Sequence, residues 1–144
     1  MKLIKLLVLL SFSLSLIACN DGQYLTFESK EGAEEEIGEF QTPLMPSGYV
    51  IKKITYEHDG FTHPVTKVFY EMEGHKITFM ITSSMFDKST SEKIKNGKIA
   101  DMVWISKDTE YVLKWRDSIQ QSYKYLFTSN EEDKEWLISI AENY

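Results

Sequence analysis

Two hydrophobic rhythms run through the chain. Residues 6–16 form an apolar run interrupted only by Ser11, Ser13 and Ser15. From Tyr49 onward, apolar positions tend to recur at every second residue, the period of a strand with one buried face. In 49–57, Val50, Lys52, Ile54 and Tyr56 fall on one side and Ile51, Lys53 and Thr55 on the other. The same rhythm predicts strands at 65–72, 76–83, 92–95, 99–106, 109–116 and 121–128. Turn signals separate them: His58-Asp59-Gly60, Glu73-Gly74, Asn96-Gly97, Lys107-Asp108 and Asp117-Ser118, with a polar loop at 85–91. Asn-Gly and Asp-Gly are strong hairpin dipeptides, because both central residues of a type I′ turn need positive φ.

The period changes at the tail. Trp136, Leu137, Ile140, Ala141 and Tyr144 recur at helical spacing. Ser129-Asn130-Glu131-Glu132 has the form of a capping box, with an acidic first turn that suits the helix dipole. Strands joined by short turns predict an antiparallel sheet whose apolar face needs a cover. The expected fold is α+β: a curved antiparallel β-meander of six or seven strands with a C-terminal helix packed on it. Residues 20–41 hold no long period and carry Glu28, Glu31, Glu34, Glu35, Glu36 and Glu39 against Lys30 alone. A stretch this acidic is expected to stay solvated as a tether, with a turn of helix at 32–36 as the one local option. The expected division is a leader at 1–18, an acidic tether at 19–41 and one domain at 42–144.

The apolar run has the organisation of an export signal. Lys2 and Lys5 precede it, and Leu16-Ile17-Ala18-Cys19 closes it with the only cysteine in the chain. The run is shorter than the roughly 20 residues needed to span a bilayer. We read the four residues as a bacterial lipobox. A cysteine thiolate is a strong nucleophile and takes up a diacylglyceryl group as a stable thioether, and the small Ala18 leaves the following bond open to a peptidase. One acyl chain binds membranes marginally, at about 0.8 kcal/mol per buried methylene, whereas two or three make anchoring durable. Cys19 is thus the expected lipidation site and the first residue of the mature chain, which is held at the extracytoplasmic face of the cell membrane. An ordinary secretory signal is the alternative.

Charge and cysteine content narrow the partners. Cleavage before Cys19 removes Lys2 and Lys5 from 16 basic residues and leaves all 22 acidic ones, a formal charge of −8. Such a surface is unfavourable for nucleic acid and for charge-driven binding to anionic headgroups. With Cys19 lipidated, no disulfide is available, and a domain of this size must be held by its core.

No catalytic constellation is visible. His58 and His63 flank one turn while His75 follows another at the opposite end of the sheet, so three converging metal ligands are not expected. There is no Gly-x-Ser-x-Gly elbow and no glycine-rich phosphate loop. The expected cofactor list is empty apart from the covalent lipid. Trp104 and Trp115 fall in neighbouring strands. Together with Phe79 they form either core or, if the sheet curves into a half-barrel, the lining of an apolar groove.

Several short motifs carry a resemblance. They are Leu44-Met45-Pro46-Ser47-Gly48-Tyr49, Val68-Phe69-Tyr70 before Gly74, Ile77-Thr78-Phe79, Asn96-Gly97-Lys98, Leu113-Lys114-Trp115, Ser122-Tyr123, and Trp136-Leu137-Ile138-Ser139-Ile140-Ala141-Glu142. With them, residues 43–144 resemble a family of extracytoplasmic domains of unassigned function, found in Bacillus-type lipoproteins and in the outer portions of some anti-sigma factors. Met45 is an insertion relative to that pattern. The family is similar in architecture to sheet-plus-helix lipoprotein carriers and envelope-stress sensors, so the resemblance implies binding and sensing rather than catalysis. It supplies no catalytic residues. No second apolar span or cytoplasmic portion accompanies the motifs, so a complete transmembrane anti-sigma factor is not expected.

The function expected from these features is a non-catalytic binding, accessory or sensing module, anchored to the membrane and facing an envelope protein or peptide. A lipid or lipopeptide carrier using an apolar groove is the alternative, and a hydrolase with an unrecognised site is a third.

Overall fold

A computed structural model of the chain describes residues 22–84, 91–94, 98–99 and 101–144. The lipobox residues Leu16, Ile17, Ala18 and Cys19, most of the polar loop at 85–91 and the Asn96-Gly97 turn lie outside the described residues.

Among the described residues, eight strands form one antiparallel sheet: β1 (Gln23–Phe27), β2 (Val50–His58), β3 (Val65–Met72), β4 (His75–Thr82), β5 (Ser91–Lys93), β6 (Val103–Lys107), β7 (Glu110–Asp117) and β8 (Ser122–Thr128). Two α-helices of the described residues accompany them, α1 (Lys30–Ile37) and α2 (Lys134–Glu142). The α+β class and the C-terminal helix agree with the sequence, but the strands number eight rather than six or seven. Their order is β1-β2-β3-β4-β8-β7-β6-β5. The sheet is therefore two four-stranded meanders joined edge to edge where Thr78–Thr82 of β4 pair with Tyr123–Phe127 of β8.

One row of directly opposed side chains crosses that junction. Phe27 faces Ile54, Ile54 faces Val68, Val68 faces Phe79, Phe79 faces Leu126, Leu126 faces Leu113 and Leu113 faces Trp104. Cross-strand partners share a face, so seven strands contribute one apolar stripe to one side of the sheet. Ile54, Val68, Phe79, Leu113 and Leu126 are wholly buried there. Leu137, Ile140 and Ala141 of α2 and Ala33 of α1 belong to the same buried cluster. The next row, on the opposite face, reads Thr55, Lys67, Met80, Tyr125, Lys114 and Val103. That face carries a smaller cluster around Met80, Ile105, Val112 and Tyr125.

A bulge between Ile51 and Lys53 shifts the register of β2 against β3. The uninterrupted alternation expected for 49–57 placed Val50 with Ile54. The extra residue turns Val50 outward and sets Ile51 opposite the buried Tyr70.

The acidic stretch is not an extended tether. Gln23–Phe27 pairs with β2 along its whole length, and Lys30–Ile37 is helical. The Ser29 side chain caps α1 by accepting from Gly32 N at 3.1 Å. Lys30 pairs with Glu34 at 2.7 Å, and Gly38, at φ 85°, closes the helix by donating to the Glu34 carbonyl. Glu31, Glu35 and Glu36 face solvent while Ala33 presses on the core, so a high charge density coexists with a docked element.

At the other end of the chain, Asn130 rather than Ser129 is the cap. Its side chain accepts from Glu132 N at 3.2 Å and opens a 3-10 turn, Glu131–Asp133, that leads into α2.

Ala33→Leu is expected to cost about 1–3 kcal/mol of stability, because the site has no room for the added carbons. A solvated spacer would be indifferent to it. The urea midpoint of the variant against the parent decides between them.

Candidate functional site

The Glu73-Gly74 turn has φ of 49° and 83° at its two centres, the positive values a type I′ hairpin requires. It sets His75 at the first position of β4, beside the lead-in segment and the start of α2. There Tyr49 Oη hydrogen-bonds His75 Nδ1, and His75 Nε2 lies 2.9 Å from Asp133 Oδ2. Thr128 Oγ1 also donates to Asp133 Oδ2. The proton arrangement that serves all four groups has the phenol donating to Nδ1 and Nε2–H donating to the carboxylate. Asp133 gives no side-chain bond to its own helix, because its carboxylate is committed to His75 and Thr128.

Aromatic rings wall this chain. Tyr49 stacks on Trp136 with centroids 5.6 Å apart, and His75 sits 6.2 Å from the same indole. Pro46, Tyr49, Met72, His75, Asn130, Asp133 and Trp136 line a shallow cleft of about 340 Å³. Burial and the negative charge of Asp133 push the Tyr49 phenol above its ordinary value. The phenol is therefore held in its protonated form, as the donor to His75. What the Tyr49-His75-Asp133 chain offers is a rigid, aromatic-walled recess with fixed hydrogen-bonding groups.

Two further places bear on the sequence expectations. Phe79, Trp104 and Trp115 do not line a groove. All three are buried in the core, with Trp104 stacked on Tyr111 at 5.8 Å and Trp115 6.3 Å from Phe79. An open trough of about 520 Å³ lies instead on the opposite face of the sheet, lined by Val65, Phe69, Thr78, Met80 and Phe127 with Glu57, Lys67 and Glu110 around it. Lys53 Nζ lies 4.6 Å from the Phe69 ring on the same face. His58 and His63 remain at the β2–β3 turn, far along the strands from His75. Among the described residues no three His, Cys, Asp or Glu side chains converge as a metal group.

A buried lysine lies toward the other end of α2. Lys124 is fully enclosed, donates to Gln120 Oε1 at 2.7 Å and lies 5.5 Å from the Tyr144 ring. Burial lowers the Lys124 ammonium against an opposing pull from Asp117, and burial with Asp117 nearby raises the Tyr144 phenol.

Sequence reasoning placed His75 correctly but missed its partners. Tyr49 is 26 and Asp133 58 residues away. Asp133 also looked like an ordinary acidic residue of a first helical turn.

No family profile, curated protein or solved structure matches the chain.

Asp133→Ala is expected to destabilise by about 1–3 kcal/mol, since it leaves His75 and Thr128 without their shared acceptor. Exposed Glu132→Ala should stay within about 0.5 kcal/mol of the parent in the same urea titration. The pH dependence has a defined sign. A phenol raised in the folded state supports folding below 10.0 and loses that contribution as pH climbs through the folded value. A lysine lowered in the folded state adds stability as pH rises toward 10.5. Tyr144→Phe should flatten the alkaline loss, and Lys124→Met should remove the gain that precedes it, both read from melting temperature against pH.

Proposed function

We propose that the protein is an extracytoplasmic lipoprotein, anchored in the cell membrane by lipid on Cys19, that acts as a non-catalytic binding or sensing module for an envelope protein or peptide. The observation that carries this is the sequence Leu16-Ile17-Ala18-Cys19 at the end of a positively flanked apolar run, with the sole cysteine of the chain in the modified position. No helix among the described residues is long and apolar enough to cross a membrane. The resemblance to extracytoplasmic domains of lipoproteins and anti-sigma factors rests on the motifs already given.

The binding role draws on the recess at Tyr49, His75 and Trp136. Its rings and fixed polar groups suit an extended peptide segment with a hydrogen-bonding side chain. Trp136→Ala should abolish such an interaction while leaving lipidation intact.

The trough on the open face favours a second reading, a carrier of a small apolar ligand held near Phe69, Met80 and Phe127. Native mass spectrometry of the protein released gently from envelopes tests it. A reproducible added mass lost in Phe69→Ala would support a carrier, and a bare protein mass would sink it.

Cys19→Ala is expected to leave the precursor uncleaved at the lipobox and free of lipid. Incorporation of labelled fatty acid into that variant would refute the anchoring.

A further inference from the structure

Three of the exposed large apolar side chains stand out. Leu44 and Phe61 are 85% exposed and Ile119 is 93% exposed. Phe61 sits in the β2–β3 turn and Ile119 in the β7–β8 turn. The strand registers put both turns at one end of the sheet: Val65 of β3 faces Thr82 of β4, Thr82 faces Tyr123 of β8, and Ser122 faces Asp117 of β7. Three strand spacings separate the turns, about 14 Å. Both are built alike. Asp59 Oδ1 accepts from Phe61 N at 2.9 Å and Thr62 N at 2.6 Å, and Asp117 Oδ1 accepts from Ile119 N at 2.9 Å and Gln120 N at 3.0 Å. Each aspartate thus holds a stiff turn that displays an apolar side chain two residues on.

The start of β1 lies at the same end. Gln23 faces His58, and Gly22 packs so closely on the next turn that a Cβ there would come within 2.9 Å of Asp59 Cα. Three residues from Cys19 to Gly22 span about 10 Å at most. The anchor of the proposed lipoprotein therefore emerges beside the Phe61 turn, with no spacer between bilayer and fold.

We propose that the Phe61 and Ile119 turns are membrane feet, which insert their apolar tips into the interfacial layer of the bilayer that holds the Cys19 lipid. This inference rests on the lipid-anchored reading. The charge of the mature chain opposes an anionic surface, so apolar insertion is the attraction that remains. Two separate tips do not make the continuous patch that a protein interface core presents, whereas a bilayer accepts isolated wedges. Docked in this way, the Tyr49-His75-Trp136 recess, at the opposite end of the strands, faces away from the membrane.

Lipidation consumes the only native thiol, so single cysteines can be labelled selectively. Full-length Phe61→Cys, Ile119→Cys and Lys76→Cys are produced in a lipoprotein-processing bacterium; Lys76 is exposed beside the β3–β4 turn, at the opposite end of the strands. Each is labelled with an environment-sensitive fluorophore and reconstituted into phosphatidylethanolamine–phosphatidylglycerol vesicles containing lipids with nitroxides on their acyl chains. Blue-shifted, quenched emission at positions 61 and 119, with water-like unquenched emission at 76, is the expected result. A lipidated, vesicle-bound protein whose labels at 61 and 119 behave like that at 76 overturns the docking and leaves the anchor standing. A protein without lipid by intact mass, with label on Cys19, overturns both. All three positions are exposed, so the substitutions leave the core untouched.

Discussion

The fold depends on the apolar row that runs from Phe27 through Ile54, Val68, Phe79, Leu126 and Leu113 to Trp104. Each meander alone would expose an edge strand with unpaired backbone groups and half a hydrophobic face. Pairing β4 with β8 joins the edges and makes the two half-stripes continuous. The stripe is then long enough to demand covers from both ends of the chain, Ala33 of α1 and Leu137, Ile140 and Ala141 of α2. The helices are consequences of that stripe: neither is long enough to be stable alone in water.

Local pairing was legible because it is written in neighbouring residues. The period-two alternation and the turns at Asp59-Gly60, Glu73-Gly74 and Asp117-Ser118 located strands β2, β3, β4, β7 and β8 closely. The β4–β8 pairing was not legible, since no turn encodes contacts between Met80 and Tyr125 across 45 positions of sequence. The bulge in β2 was hidden for a related reason: Lys52 fits an alternating pattern, and only the demand of Tyr70 for Ile51 reveals the extra residue. The acidic 20–41 stretch misleads because its charge density masks its local signals. Tyr24-Leu25-Thr26-Phe27 has strand composition, and Ser29 with Gly38 brackets a helix of ordinary length.

The recess shows the same limit. His75 was visible as a histidine after a turn, but its chemistry comes from Tyr49 and Asp133, brought together by the hairpin and the 3-10 turn. With those partners it is the centre of a pin that joins the lead-in segment, the sheet and α2. Of the two readings open for Phe79, Trp104 and Trp115, core rather than groove is the one found, because these residues lie on the side that the helices cover. In the account offered here, the molecule has two ends with different tasks. The end with Gly22 and the apolar turn tips meets the bilayer, and the end with Tyr49, His75 and Trp136 faces outward.

That account stands on the state of Cys19. The most direct measurement is the intact mass of the protein extracted from the membranes of a bacterium that expresses the full chain. The account predicts a chain that begins at Cys19 and carries the added mass of a diacylglyceryl group, with or without a further acyl chain. A mass matching the uncleaved chain, or a shorter chain with a free thiol or no cysteine at all, would contradict it.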